Sequence, residues 1–189
     1  MSEILENLPQ EAVDMIVVTD GQRILGLGDL GINGMGIPVG KLALYTACAG
    51  VDPRRTLPVI LDVGTNTERY LNDPLYLGHK HPRVSGQEYD DFIEEFFQSV
   101  YKKWPKCVVQ FEDFGNNHAF DLLARYRSRY CCYNDDIQGT ASIVVSGFFS
   151  AMRAKKSKLS NEKILFLGAG EAATGVAGLI ADAMVEDGL

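Results

Sequence analysis

Hydrophobic positions in this chain fall into short apolar runs that alternate with longer stretches of helical period. "MIVVTD" (15–20) is rich in β-branched residues and ends on the turn pair Asp20-Gly21, so it predicts a strand. "RILGLGDLG" behind it is expected to pair back as a hairpin. The glycine-rich "GINGMGIPVG" opens a helix over "KLALYTACAG", which stops at Gly50. "TLPVILDVG" is a second apolar strand, and "TERYLNDPLYLGHKHPRV" reads as an irregular surface loop. Ser85 and Glu88 have the spacing of a capping box at a helix start. Phe92, Ile93, Phe96, Phe97, Val100 and Tyr101 form one stripe of that helix, with Glu94, Glu95 and Gln98 off it, and Trp104-Pro105 ends it.

Beyond it, "CVVQFED" is a third strand, "HAFDLLARYR" a helix and "YCCYNDD" a fourth strand. "GTASIVVSGFFSAMRAKK" repeats Val144, Phe148, Ala151 and Met152 at helical spacing, and its basic end suits the helix dipole. "EKILFLGAGEAATGVAGLIADAMVEDG" reads as a strand, a glycine turn and a helix. Strands alternating with helices imply an α/β fold: a mostly parallel sheet flanked by helices, followed by the start of a Rossmann-type domain. The expected boundary gives domains 1–134 and 135–189. One strand-turn-helix unit cannot bury both faces of its strand, so the second domain is expected to be incomplete in this chain.

At 189 residues the chain holds one domain or one and a half. A net charge of −7 repels phosphate backbones and argues against nucleic acid. No apolar run approaches the roughly 18 residues of a membrane span. The start "MSEILENLPQEAVD" is neither a secretory signal nor an Arg-rich transit peptide, so no targeting segment is visible and the compartment is expected to be cytoplasm or a mitochondrial or plastid matrix. Cys48, Cys107, Cys131 and Cys132 show no CxxC spacing and are expected to be small core residues in a reducing compartment.

Chemistry concentrates at strand ends. In "LFLGAGEAATG", Gly168, Gly170 and Gly175 are spaced G-x-G-x-x-x-x-G, and Ala173 also fits the third place of G-x-G-x-x-A. The pattern follows a predicted strand and opens a predicted helix, the context in which backbone amides and a helix N-terminus receive a dinucleotide pyrophosphate. A simple tight turn is the alternative. The acidic residue that would read the ribose falls at or beyond the end of the chain, so NAD and NADP are not distinguished.

Glu112-Asp113 and Asp135-Asp136 each follow a predicted strand. Strand C-terminal ends line the ligand crevice of a parallel sheet, and carboxylates crowded there need an opposite charge. A divalent cation with hard oxygen ligands, Mg²⁺ or Mn²⁺, provides one. The alternative is that Asp113 and Asp136 cap the helices behind them; two pairs at two strand ends favour the cation. Lys41 has apolar and glycine neighbours, so burial would lower its pKa and suit a general base, or else it snorkels to the surface. Arg23 could clamp a carboxylate bidentately. His79, His81 and His118 carry no assigned role.

"VVTDGQRILGLGDLGINGMGIPVGKLALYTACAGVDP", "QFEDFGNNHAFDLLARYR", "YNDDIQGTA" and "LGAGEAATG" together resemble the malic enzymes, oxidative decarboxylases of malate, over nearly the whole chain. The resemblance implies oxidation of malate to pyruvate and CO₂ with NAD or NADP and a divalent cation, Mg²⁺ or Mn²⁺. It implies that Glu112, Asp113 and Asp136 are the metal ligands, Lys41 the general base, Asp135 its acidic neighbour and Arg23 a contact to substrate carboxylate and cofactor. It further implies that Gly168, Ala169, Gly170, Glu171, Ala172, Ala173 and Gly175 hold the dinucleotide. It implies a homo-oligomer, and no nucleic acid or membrane as partner. The family's general-acid tyrosine lies in a Tyr-Thr-Pro-type motif of an N-terminal helical domain, and no such motif occurs here. The chain is therefore expected to be a fragment, inactive by itself. Two other readings stay open: a non-catalytic module retaining metal or partner binding, and an Mg²⁺-dependent hydrolase built on the four acids.

Overall fold

The computed structural model describes residues 1–188. A short helix α1 (Ser2–Glu6) precedes strand β1 (Met15–Thr19). A 3₁₀ turn (Gly31–Met35) leads into α2 (Gly36–Ala49), which closes on the left-handed Gly50. Strand β2 (Thr56–Ile60), the single turn α3 (Glu68–Leu71) and the long α4 (Gln87–Lys103) follow. Then come β3 (Val108–Phe111), α5 (Asn116–Tyr126), β4 (Cys132–Asn134), a π-helical turn (Asp135–Gly139), α6 (Thr140–Lys155) and α7 (Glu171–Glu186).

All four strands are parallel, in the order β2-β1-β3-β4. Val18 lies opposite Phe111, and Phe111 opposite Asn134. This register brings the C-terminal ends of β1, β3 and β4 to one edge. The chain steps from β1 outward to β2, then returns to place β3 on the other side of β1. That reversal opens a crevice at the strand ends, where ligands of such sheets bind.

Alternation along the strands divides their side chains between two faces. Ile16, Val18, Val109 and Phe111 enter a core with Ile93, Phe96, Phe97 and Val100 of α4 and Leu122 and Tyr126 of α5. Phe97 is its centre: fully buried, it stacks on Tyr126 at 4.1 Å between centroids and touches Phe111 and Tyr130. A second, smaller core joins α6 and α7 through Ala141, Val145, Val176, Ile180 and Ala183. No described helix is long and apolar enough to cross a membrane.

Several sequence expectations change. The hairpin after β1 reduces to one bridge, Ile24 to Gly28, because β1 is an inner strand with both flanks already taken by β2 and β3. The loop at 67–84 contains the one-turn α3. Ser85 and Glu88 form no capping box: Gly86 is the N-cap, without a side-chain cap bond, and its φ of +65° shifts the helix start away from Ser85. Residues 163–167 are not a strand, and Leu165 and Leu167 are fully exposed. A strand exists only through ladder hydrogen bonds to a neighbour, and no described segment offers them. Of the four free cysteines, Cys107 is buried, Cys132 half-buried, and Cys48 and Cys131 exposed, since the last two sit outside the sheet's packed faces.

Phe97→Ala is expected to lower unfolding stability by about 3–5 kcal/mol, the cost of a large cavity in an aromatic core. The urea midpoint should fall with no change in slope.

Candidate functional site

Strand β3 ends on Phe111, and the chain delivers Glu112 and Asp113 directly into the crevice. Both are buried, at 5% and 1% exposure. Asp113 has a left-handed backbone, φ +53°, that costs a non-glycine residue about 1–3 kcal/mol. Two hydrogen bonds hold it there: Arg23 N–H donates to its carbonyl at 3.2 Å, and its own N–H donates to Asp136 Oδ2 at 2.8 Å. Neither Asp113 nor Asp136 caps a helix; Gly115 is the N-cap of α5, and Asn134 caps the π-turn by accepting from the Ile137 N–H at 3.0 Å. The turn that follows β4 carries Asp135 and Asp136. π-Turns recur at functional sites because the widened turn re-aims side chains. Gly139 makes room within it: a Cβ there would lie 2.0 Å from Asp135 Oδ1.

Carboxylate oxygens of Glu112, Asp113 and Asp136 all lie within 4.8 Å of one another. Asp113 Oδ2 is buried and has no hydrogen-bond partner. An orphaned, desolvated oxygen beside two more carboxylates is a donor set that could hold a hard divalent cation such as Mg²⁺ or Mn²⁺. Two cationic side chains flank the cluster. Arg23 Nη2 meets Asp136 Oδ1 at 2.8 Å and Asp113 Oδ1 at 3.2 Å, while its Nε donates to Glu171 Oε1 at 3.1 Å. Lys41 Nζ meets Asp135 Oδ2 at 2.6 Å and Glu112 Oε1 at 3.1 Å.

These contacts set the protonation equilibria. Burial pushes the Glu112 carboxyl up to about 7, aided by the Asp136 charge and opposed by Lys41. Burial and Asp136 push Asp113 up to about 6, against the pull of Arg23. Burial pushes Glu171 up to about 7, with Arg23 opposing. For Lys41 the expectation of a lowered pKa is reversed. Burial does lower it, but the Asp135 hydrogen bond and the charges of Glu112 and Asp135 outweigh that and hold the ammonium well above its ordinary range.

Further residues complete the site. Gln110, fully buried in β3, donates from Nε2 to Glu112 Oε2 at 2.5 Å and accepts from Tyr45 Oη of α2 and Tyr133 Oη of β4. Tyr45 lies one helical turn after Lys41, so both reach the crevice from one face of α2. The visible signal for Gln110 is a polar residue inside the apolar run "CVVQF".

The glycine turn stands at the rim. Gly170 is the N-cap of α7 and is exposed with Gly168, Ala169 and Ala172; Ala173 is half-buried. A Cβ at Gly168 or Gly170 would meet nothing within 4 Å, so open space faces the backbone there. Gly175, rather than Ala173, is the close-packing residue: a Cβ on it would lie 2.5 Å from the Ile137 carbonyl oxygen. Glu171 leaves the turn for the crevice, where it is buried with one oxygen on Arg23 and the other unpartnered.

Residues 1–127 match the family profile "Malic enzyme, N-terminal domain", and residues 137–189 match "Malic enzyme, NAD binding domain". The NADP-dependent malic enzyme of Homo sapiens is 58% identical over 190 residues, covering 100% of this chain and 33% of its own length. The NAD-dependent malic enzyme 2 of Photobacterium profundum is 55% identical over 187 residues, covering 99% and 34%. The crystal structure of the Entamoeba histolytica malic enzyme aligns with a TM-score of 0.69 at 25% identity, covering 96% of this chain and 33% of that one. The chain thus spans about a third of the length of the curated relatives it matches.

A carboxyl whose folded pKa lies above its unfolded value adds stability that is present at low pH and is lost as pH rises through the folded pKa. That window runs from about 4.5 to about 7 for Glu112 and Glu171, and from about 3.8 to about 6 for Asp113. In chelator, the melting temperature should therefore fall between pH 5 and pH 8, by roughly 2–4 °C for each kcal/mol withdrawn. Calorimetry should show a shallower fall in Glu112→Gln, and in the parent with saturating Mn²⁺.

Proposed function

This chain belongs to the malic enzyme family, and from that premise we propose that it forms the substrate crevice of an oxidative decarboxylase converting malate to pyruvate and CO₂ with NAD or NADP. The observation that carries the reading is the convergence of Glu112, Asp113 and Asp136 beside the Lys41–Asp135 pair and Arg23. Glu112, Asp113 and Asp136 are the residues that would hold Mg²⁺ or Mn²⁺. When bound, the cation would supply Lewis acidity toward the substrate oxygens, and the dinucleotide would accept hydride.

Lys41 Nζ moves the proton of the malate C2 hydroxyl. A protonated amine cannot accept it, so Nζ must first lose a proton, and Asp135 Oδ2, at 2.6 Å, is the carboxylate nearest to receive it. The same short contact orients the amine toward the crevice. Arg23, about one-third exposed, keeps guanidinium donors at the crevice mouth to orient a substrate carboxylate while it bridges Asp113 and Asp136. Gln110 fixes the second oxygen of Glu112, which leaves Oε1 to face Lys41. Malate itself carries two carboxylates, and the positive side chains offset its entry into an acidic site.

We assign the glycine turn to the dinucleotide. Support comes from the open space over Gly168 and Gly170, and from the N-terminus of the 16-residue α7 that begins at Glu171. Glu171 itself is turned toward Arg23, so its part is to brace that side chain while Gly168, Ala169, Gly170, Ala172 and Ala173 border the ligand and Gly175 packs beneath. Two separate cores, one under the sheet and one between α6 and α7, support a division into a substrate domain over 1–134 and a nucleotide domain from 135 onward. The Lys41–Asp135 pair draws one of the four acids out of the metal cluster, which favours this chemistry over a two-metal hydrolase.

In the full-length protein, Asp136→Asn is expected to lower metal-dependent kcat by at least about 100-fold, more than the loss of an outer-shell partner costs. Mn²⁺ affinity should fall with it. Steady-state kinetics and Mn²⁺ titration that both match the parent would refute the assignment.

A further inference from the structure

The two cationic side chains of the crevice hang from segments that are joined at a distance by one buried guanidinium. Arg83 lies in the loop before α4, its side chain 5% exposed. Its Nη2 donates to the Asp20 carbonyl at 2.9 Å and meets Asp20 Oδ2 at 2.7 Å. Its Nη1 reaches Asp29 Oδ1 at 3.3 Å and the Gly64 carbonyl at 3.4 Å. Tyr89 Oη completes the shell around Asp20 by donating to Oδ2 at 2.8 Å. One planar fork thereby ties together the turn after β1, the segment ahead of α2 and the loop after β2.

The first two of these carry the chemistry. Asp20 Oδ1 accepts the Gln22 N–H at 3.0 Å, fixing the turn from which Arg23 projects. Asp29 Oδ1 accepts the Gly31 N–H at 2.9 Å, and Gly31 begins the 3₁₀ turn that launches α2 and Lys41. The two segments also meet backbone to backbone. Leu30 N–H donates to the Gly21 carbonyl at 3.0 Å, and a Cβ on Gly21, at φ +71°, would lie 2.1 Å from the Gly31 oxygen. Glu112, Asp113, Asp135 and Asp136 instead extend from β3 and β4, and Arg83 makes no hydrogen bond or ion pair to either strand.

We propose that Arg83 is a positioning residue for the cationic half of the site: it sets Arg23 and Lys41 against the carboxylates without touching substrate or cation. This rests on the malic enzyme reading for the roles of Arg23 and Lys41. Lysine cannot substitute, because a single ammonium cannot span two carboxylates and two carbonyls in different directions, as the planar fork does.

Arg83→Met would leave Asp20 charged, buried and without a counter-ion, so it endangers the fold; Arg83→Lys keeps that charge paired and carries the test. In the full-length protein, Arg83→Lys is expected to lower kcat/KM for malate by about 10–100-fold, the range that a displacement near 1 Å costs. The fall should include a raised KM, from Arg23, and a lowered kcat, from Lys41. Mn²⁺ affinity should fall less than kcat/KM does, since Arg83 bonds no carboxylate of the cluster and reaches Asp113 and Asp136 only through Arg23. Hydrogen exchange should accelerate over residues 20–41 and stay unchanged over 108–136. Parent-like kinetics and exchange, or a loss of Mn²⁺ affinity as large as the loss of kcat/KM, would overturn the proposal. Absence of malate turnover in the unmutated protein would overturn the functional reading instead, and the exchange pattern would still decide the role of Arg83.

Discussion

Negative charge crowded into a half-buried crevice is the constraint on which the rest of this structure depends. Glu112, Asp113, Asp135, Asp136 and Glu171 face two cationic side chains, Arg23 and Lys41. At the 4.8 Å limit that bounds the central three, two unit charges repel by roughly 3–4 kcal/mol at an effective dielectric of 20. Burial adds to that cost, and the carboxyls respond by holding their protons to higher pH. The strain appears in the backbone as well, in the left-handed Asp113 and the widened turn after β4. Such a cluster persists only because stronger interactions elsewhere fix the elements that carry it.

The aromatic core provides them. Phe97, Phe111, Tyr126 and Tyr130 lock α4 and α5 onto one face of the sheet, so β3 cannot slide relative to β1. A one-residue slip would reverse the facing of Val109 and Gln110 and take Glu112 out of the crevice. The order β2-β1-β3-β4 then does the gathering: the reversal between β1 and β3 places the Arg23 turn and the Glu112-Asp113 pair on either side of one opening. Packing sets position, and the site tolerates its own repulsion because that position is not negotiable.

The alternation of strands and helices, and the two acidic pairs at strand ends, were legible in the sequence because both are local patterns. For Lys41 and Arg23 the neighbouring residues left a general base and a carboxylate clamp as weak options among others, and the family resemblance was what singled the two out. What could not be read depends on partners far away in sequence. Gln110 looks like a stray polar residue until Tyr45 and Tyr133 close on it. Arg83 looks like one more loop arginine, because Asp20 and Asp29 lie more than fifty residues upstream. The direction of the Lys41 pKa was misread for the same reason: burial was visible, but its carboxylate partners were not. The expected strand at 163–167 shows the limit of apolar periodicity, which reports a wish to be buried and not the presence of a neighbour.

Arg23 also joins the two cores. Its Nη2 lies on Asp113 and Asp136 at the sheet edge, and its Nε lies on Glu171 at the start of α7. A guanidinium can do this because its donors point in fixed, divergent directions; an ammonium would have to choose. The second tie between these parts is steric, with Gly175 of α7 against the Ile137 carbonyl. That contact sits one residue beyond Asp136, so α7 bears on the turn that carries the acids and, through Arg23, on the acids themselves. Any displacement of α7 must therefore lengthen the Arg23–Glu171 pair or drag the guanidinium away from Asp113 and Asp136. The start of α7 and the acidic turn after β4 are thus tied by one ion pair and one close backbone contact, with no need for a longer path through the sheet.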